Sequence, residues 1–170
     1  LNKQKGQFTG WIGYTLSWTC RKFTQLNDGE KFPTRYDRRH DMSVVASYEA
    51  SNKWKFGGVF VYGTGNAITL PERFYFINGV LTQEYSKLNQ YRMKAYHRID
   101  LSATYTPTPK KKRRLISYWV FSIYNTYSRL NPYFIYFDQD GSINNGDLKV
   151  EARQVSLFPV IPAVTWNFKF

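Results

Sequence analysis

The stretch Val164-Thr165-Trp166-Asn167-Phe168-Lys169-Phe170 alternates apolar with polar side chains and ends on an aromatic ring. Because successive side chains of a β-strand point to opposite faces, the apolar residues would share one face and the polar residues the other. The wall of a membrane β-barrel needs strands of this kind, with one face toward lipid and one toward a wet interior. The stretch therefore predicts a strand, and a barrel wall if the pattern recurs upstream.

The alternation does recur upstream, over unusually long segments. Residues 8–20 place mainly large apolar side chains on one face and mostly small or polar ones on the other. A strand of a globular protein is about 5 or 6 residues long, whereas a membrane strand needs about 9–11. The length of the predicted strands therefore favours a membrane protein. The predicted strands are residues 8–20, 41–50, 54–63, 99–106, 119–137 and 148–170, the last bent at Pro159 and Pro162.

The connections between these strands alternate in length. Residues 51–53 and 107–113 are short, while 24–39, 66–97 and 138–147 are long and polar. Short periplasmic turns and long extracellular loops are typical of outer-membrane barrels. A closed membrane barrel begins at about 8 strands. We therefore expect either a segment of a larger barrel or eight shorter strands, obtained by splitting 114–138 and 148–170 at their prolines.

Composition excludes several other classes of protein. Aromatic residues make up 19% of the chain, yet mean hydropathy is −0.52, and no apolar run approaches the roughly 18 residues of a membrane-spanning helix. The single cysteine, Cys20, excludes an internal disulfide and a Cys-based zinc cluster. With only two histidines, a His-rich metal site is not expected either. Because the chain starts at Leu1 without a signal peptide, we interpret it as a mature or internal piece of a longer protein.

The net charge of +12 raises nucleic acid as a partner, but anionic lipopolysaccharide explains a basic rim equally well. The basic run Lys110-Lys111-Lys112-Arg113-Arg114 lies between two predicted strands on the short-turn side. We interpret it as a solvated periplasmic turn, since the aromatic side chains follow the lipid-facing alternation. A surface for single-stranded nucleic acid would present them among the basic residues. No nucleic-acid partner is expected.

Two predicted strands begin alike, with Arg39-His40-Asp41 and Arg98-Ile99-Asp100. In each, Arg and Asp are two residues apart and so share the polar face. We expect these pairs to stabilise the inner wall, with contact to a ligand or an internal plug as the alternative. The candidate lumen-facing residues are Arg39, Asp41, Glu49, Arg98 and Asp100.

The long connection 66–97 is rich in aromatic residues among charged ones. Loops on a rigid scaffold concentrate ligand contacts, and aromatic rings there would stack on sugars or siderophore rings. Packing against neighbouring loops or a surface lipoprotein is the alternative. The candidate ligand-contacting residues are Phe74, Tyr75, Phe76, Tyr85 and Tyr91.

Catalytic chemistry is not predicted. His40 and His97 have Arg and Asp beside them but no identifiable nucleophile, and the 12 acidic residues show no paired-carboxylate spacing. The segment Gly63-Thr64-Gly65-Asn66 lacks the Lys-Ser/Thr of a phosphate-binding loop. We expect neither an enzyme nor a cofactor.

Several stretches together resemble the C-terminal barrel of TonB-dependent outer-membrane receptors of Bacteroidetes. They are Thr9–Ser17, Tyr36–Asp41, Phe60–Ala67, Tyr91–Ser102 and Ser122–Asn125 followed by Asn131-Pro132. The aromatic ending with Trp166, Phe168 and Phe170 resembles the barrel-assembly signal of Gram-negative bacteria.

This resemblance implies that residues 1–170 form the last part of a 22-stranded barrel, with the plug domain and the earlier strands outside the chain. It implies TonB-dependent active transport of a scarce ligand across the outer membrane. The implied partners are outer-membrane lipid and lipopolysaccharide, the rest of the barrel and its plug, TonB and, as is common among related transporters, a surface lipoprotein.

Two alternatives stay open at the level of sequence. One is a complete small outer-membrane barrel with a structural or adhesive role. The other is a soluble basic β-protein that binds nucleic acid or glycan. Strand length favours a membrane protein over the second alternative.

Overall fold

The computed structural model describes residues 1–108, 116–141 and 145–169. Within these ranges the chain is all-β and antiparallel, with 61% of residues in strands, which confirms the all-β, antiparallel part of the prediction. A three-residue 3-10 turn lies at Asn27–Gly29. The basic run 110–114, most of the connection 107–113 and Phe170 lie outside the described residues.

The strands, in chain order, are β1 (Asn2–Lys3), β2 (Phe8–Leu16), β3 (Cys20–Arg21), β4 (Phe32–Pro33), β5 (His40–Glu49), β6 (Trp54–Gly63), β7 (Ala67–Ile68), β8 (Pro71–Ile77), β9 (Val80–Tyr85), β10 (Tyr91–Arg92), β11 (Tyr96–Tyr105), β12 (Ile116–Tyr124), β13 (Pro132–Asp140), β14 (Lys149–Ser156) and β15 (Ile161–Lys169). Six of them are 9 or 10 residues long and lie side by side in one sheet, in the order β2-β5-β6-β11-β12-β15, with the short β1 beside β2. In the described ranges this sheet is open, with β1 and β15 at its edges.

Four two-stranded sheets complete the described structure: β3–β4, β7–β10, β8–β9 and β13–β14. The chain divides into two compact units. Unit 1 comprises residues 1–13, 43–61 and 97–170, and unit 2 comprises residues 14–42 and 62–96.

Two of the predicted strands are wrong as single strands. Segment 119–137 divides because Asn125 and Ser128 take positive φ values of 51° and 52° directly after β12, which turns the chain. Segment 148–170 divides at Phe158, whose φ is 57°. As a result β12 pairs along its length with β15, and β13 pairs with β14. Residues 138–140 of the connection expected at 138–147 therefore belong to β13, and residues 142–144 lie outside the described residues.

The first predicted strand, 8–20, is also too long. Strand β2 ends at Leu16, and Cys20 and Arg21 pair instead with Pro33 and Phe32 in β4. The predicted turn 51–53 is present, and the Ser51 hydroxyl accepts hydrogen bonds from the backbone N–H of Lys53 and of Trp54, at 3.3 and 3.1 Å.

The connection 66–97 is ordered structure and not an irregular loop. Its main feature is the β8–β9 hairpin, in which Ile77 pairs with Val80 across the two-residue turn Asn78-Gly79. Both turn residues have positive φ, 49° and 78°, as a type I′ turn requires. Asn-Gly between apolar residues is the strongest short hairpin signal in a sequence, so this element was predictable.

Very few side chains are buried. Within the described residues, the buried apolar residues are Phe32, Ala67 and Met93, and the buried polar residues are Asp37, Asn125 and Asn131. A folded domain of about 150 residues normally buries about two thirds of its surface around an apolar core. Here the large apolar side chains lie mostly on the surface, and the interior sites are as often polar as apolar.

Candidate functional site

Strands β11, β12 and β15 of unit 1 expose one continuous apolar face. Directly paired residues of neighbouring strands share a face, and the register aligns Ala103 with Phe121 and Val164. One step along, Tyr105 aligns with Trp119 and Trp166. The Trp119 and Trp166 rings are stacked with centroids 5.8 Å apart. The apolar residues that alternate in the sequence thus lie on one common surface. On this surface the Phe121 and Trp166 side chains are 42% and 48% exposed.

Two of the predicted assembly-signal residues, Trp166 and Phe168, fall at the end of that face, and the third, Phe170, lies outside the described residues. The Phe168 ring lies 4.9 Å from the Trp166 ring, centroid to centroid. Phe168 is 50% exposed. Both rings therefore belong to the apolar surface of the edge strand β15.

The opposite face of the same strands carries small and polar side chains. Ser102 pairs with Ser122, and the next position aligns Thr104 with Val120 and Thr165. This face is compatible with water, because hydroxyl groups dominate it. The part of the sheet formed by β11, β12 and β15 is therefore strongly two-sided.

A polar network built on Arg98 lies at the start of β11. The Arg98 Nε and Nη2 atoms are each 2.9 Å from one carboxylate oxygen of Asp100. The guanidinium also donates to the Tyr124 hydroxyl and lies over the Tyr124 ring, with Cζ 4.0 Å from its centroid. The predicted Arg98–Asp100 pair thus forms.

Two buried asparagines fasten the turn that follows β12 to this network. The Asn125 backbone N–H donates to the second oxygen of Asp100 at 2.8 Å, and its side-chain amide donates to the carbonyls of Arg129 and Phe158. The Asn131 side chain accepts from the His97 N–H at 3.0 Å and donates to the His97 carbonyl at 2.9 Å. It thereby satisfies the backbone of β11 as a neighbouring strand would.

A second network, in unit 2, surrounds Asp37. The side chain of Asp37 is 1% exposed. One of its oxygens accepts from the Thr19 backbone N–H at 2.6 Å, and the other accepts from Arg92 Nη2 at 2.6 Å. Arg92 Nη1 donates to the backbone carbonyls of Asp37 and Gly65, and Arg39 Nε lies 3.6 Å from the carboxylate.

These contacts hold Asp37 ionised. Burial by itself raises the pKa of a carboxyl group, but the hydrogen bonds from Thr19 and Arg92 and the charges of Arg92 and Arg39 outweigh it, so the pKa of Asp37 lies below its ordinary value. The carboxylate therefore acts as a charged tie between segments distant in sequence.

The remaining predicted lumen candidates are paired differently from expectation. Arg39 contacts Asp37 and not Asp41, whose carboxylate lies 3.5 Å from Arg38. Glu49 forms an exposed ion pair with Lys55, at 2.6 Å across the 51–53 turn. In one copy of the repeated Arg-x-Asp motif, Arg98 pairs with Asp100 of the same motif. In the other copy, Arg39 pairs instead with Asp37, outside the motif.

The aromatic candidates of segment 66–97 mostly sit on the β8–β9 hairpin. Phe74, Phe76 and Tyr85 alternate onto one of its faces and Tyr75 onto the other, by the register of the pairing. Their surroundings are polar: the Tyr85 hydroxyl donates to Gln83 at 2.8 Å, and the Tyr91 hydroxyl donates to Glu72 at 3.2 Å. The hairpin therefore presents rings on both faces and does not gather them into one site.

Sequence reasoning missed the residues that are most enclosed. Asp37 and Arg92 were noticed only within resembling stretches, as were Asn125 and Asn131. Their partners lie far away in the chain, with 55 positions separating Arg92 from Asp37. A signal was nevertheless present, because Asn125-x5-Asn131 frames a turn in a segment too long for one strand.

No group of three or more His, Cys, Asp or Glu side chains that could hold a metal ion occurs among the described residues. None of the helical turns in the described ranges has the length and apolarity needed to cross a membrane.

Comparisons with protein-family models, curated proteins and solved structures return no match.

Proposed function

We propose that this chain supplies six strands to the wall of an outer-membrane β-barrel that works as a TonB-dependent transporter. The observation that carries the proposal is the two-sided sheet of long strands, with an exposed aromatic face and a hydroxyl-rich opposite face. In this role the apolar face contacts lipid and the other face lines a wet lumen.

The exposed apolar side chains support lipid as the solvent of that face. Leaving one large apolar side chain in water costs roughly 1.5–3 kcal/mol relative to burying it. The face of β12 and β15 alone carries Trp119, Phe121, Val164, Trp166 and Phe168, all exposed. Water would penalise such a surface severely, whereas hydrocarbon would solvate it.

The open edges support a larger assembly. Strands β1 and β15 end the sheet in the described ranges, and unpaired backbone groups in lipid cost several kcal/mol each. Further strands are therefore proposed to pair with these edges and close the barrel. In that assembly the plug and TonB implied by the family resemblance would move ligand through the lumen, and residues 24–39, 66–97 and 138–147 would contribute ligand contacts.

Site-specific labelling of neighbouring residues tests the lipid-facing assignment. Cys20 is first replaced by serine, and single cysteines are then placed at Phe121 and at Ser122, which lie on opposite faces of β12. In purified outer membranes, a fluorophore at position 121 is expected to be quenched by brominated lipid, and one at position 122 is not. Equal quenching at both positions, or recovery of the protein in the soluble fraction, would overturn the proposal.

Folding of the 170-residue chain by itself separates the proposal from a complete small barrel. A wall segment is expected not to yield a stable monomer in detergent. A heat-modifiable, protease-resistant monomer would instead support a small barrel with a structural or adhesive role.

A further inference from the structure

Unit 2 contains a partly enclosed cavity of about 330 Å³ that none of the predicted site residues accounts for. It lies against the β3–β4 hairpin and the segment 88–89. Its volume is at the lower end of the roughly 300–1,000 Å³ found for small-molecule sites. The cavity is therefore large enough for a compact organic molecule.

The walls of this cavity are tied together by polar contacts. The Asn27 side chain makes two hydrogen bonds to the backbone of Leu88, at 2.7 and 3.0 Å. The Asn89 side chain donates to the Pro33 carbonyl at 2.9 Å. Lys87 bridges Asp28 and Glu30 at 3.2 and 2.8 Å. The cavity is thus built before any ligand arrives.

The lining combines aromatic rings with arginine side chains. The Phe32 side chain is 5% exposed, and the Phe23 ring lies beside it at 6.2 Å, centroid to centroid. Tyr36, Arg21 and Arg35 also line the cavity. Arg35 Cζ lies 5.9 Å from the Tyr36 ring centroid.

The arginines of the lining are without a salt bridge among the described residues. The salt bridges of the described residues include none from Arg21 or Arg35, while the nearby carboxylates Asp28 and Glu30 are occupied by Lys87. A guanidinium pairs best with a planar carboxylate or a phosphate, with which it makes two parallel hydrogen bonds. Aromatic walls favour a flat apolar body.

We propose that this cavity binds a small aromatic carboxylate, with its carboxylate held by Arg21 and Arg35 and its ring against Phe23, Phe32 and Tyr36. A role of this site in capturing the transported ligand rests on the proposed function. The binding itself is a property of unit 2 and needs no transport.

The probe is 2-naphthoate, compared with neutral 2-naphthamide of nearly the same shape. Binding is measured by equilibrium dialysis and saturation-transfer NMR on the full protein as purified from the cell, in detergent if it fractionates with the membrane and without it if it is soluble. Detergent alone provides the blank. We expect 2-naphthoate to bind saturably and at least about tenfold more tightly than 2-naphthamide, as a charged hydrogen bond implies.

Three variants locate the site. Arg21→Met and Arg35→Met are each expected to weaken 2-naphthoate binding by about tenfold and to leave 2-naphthamide binding nearly unchanged. Lys22→Met, which removes a neighbouring positive charge outside the cavity lining, is the matched control and is expected to change the affinity less than about twofold, since the field of an exposed charge is screened.

Absence of saturable binding, equal affinity for the two probes, or equal effects of Arg35→Met and Lys22→Met would each overturn the assignment. Binding with the expected selectivity by a soluble protein would keep the cavity site and refute the transporter. A membrane-inserted barrel that shows none of this selectivity would refute the cavity site and leave the transporter proposal standing.

Discussion

At the scale of single residues, the described chain places charge where most folded proteins place hydrocarbon. Asp37 is enclosed and ionised, and it joins the segment before β5 to Thr19, directly before β3, and to Arg92 of β10. Such a carboxylate is stable only while its partners remain, because an unpaired buried charge is expensive. Loss of Arg92 should therefore lower the stability of the protein more than loss of any other partner of Asp37.

Replacing Arg92 with methionine is expected to destabilise the protein by about 3 kcal/mol, because it leaves the Asp37 carboxylate buried without its guanidinium. The free energy of unfolding in urea measures the change. Arg153→Met is the matched control: its guanidinium pairs with Asp138, but both side chains are well exposed, and such pairs contribute about 0–1 kcal/mol. Equal losses in the two variants would contradict the account of Asp37.

The lowered pKa of Asp37 makes a second prediction, about acid. Since the folded-state pKa lies below the ordinary value of 3.8, the contribution of this carboxylate is fully present above that value and is lost as pH falls through the folded-state pKa. The free energy of unfolding should thus decline as pH drops below about 4. Asp37→Asn should be less stable at neutral pH and should show a shallower decline. Parallel pH profiles for the two proteins would refute this.

At the scale of elements, the long strands depend on close backbone approach as well as on alternation. Gly10 in β2 is the clearest case, because a Cβ atom built there would lie 2.2 Å from the Val45 carbonyl oxygen of β5. Gly58 in β6 offers a contrast, since its added Cβ would find only the Leu101 side chain, at 3.5 Å. The close approach of the backbones requires glycine at position 10, whereas position 58 has room for a Cβ atom.

Gly10→Ala is accordingly expected to destabilise the protein by about 1–3 kcal/mol, the usual range for overpacking. Gly58→Ala should be neutral or slightly stabilising, because alanine restricts the unfolded chain. Thermal unfolding followed by far-ultraviolet circular dichroism compares them. A greater loss for Gly58→Ala would show that the β2–β5 approach is looser than described.

The elements also explain why two strand predictions were wrong. Apolar residues stand on both sides of the break, so alternation did not decide between one long strand and the eight-strand alternative, in which 114–138 and 148–170 divide at their prolines. The break comes from Asn125 and Ser128 in left-handed conformation and from hydrogen bonds that Asn125 makes to Asp100 and Phe158. By contrast, the Asn78-Gly79 turn was open to prediction, because a type I′ hairpin is specified by its two central residues.

At the scale of the whole molecule, the two faces of the long strands are suited to different solvents. Phe121 and Val120 are neighbours on β12 and point to opposite faces, so they report on the two environments separately. In the proposed barrel Phe121 contacts lipid and Val120 faces the lumen. A charge should be tolerated at one position and not at the other.

Phe121→Arg is expected to cost roughly 2–4 kcal/mol of folding stability in the membrane, as arginine does near the bilayer midplane, whereas lumen-facing changes are tolerated. Val120→Arg is the matched control and should cost much less. Urea-dependent folding into lipid vesicles, followed by the gel shift of the folded form, gives both values. A larger penalty at Val120 would reverse the assignment of the faces.

The alternating pattern along the chain is enough to predict the all-β class, the long strands and the composition of their two faces. Each of these follows from the two-residue period of a strand, which is a local property. The three-dimensional structure alone decided which strands pair, that β13–β14 forms its own hairpin between β12 and β15, and that Asp37 meets Arg92 across 55 positions. Those features depend on chain reversals and long-range hydrogen bonds, and no periodicity along the chain encodes them.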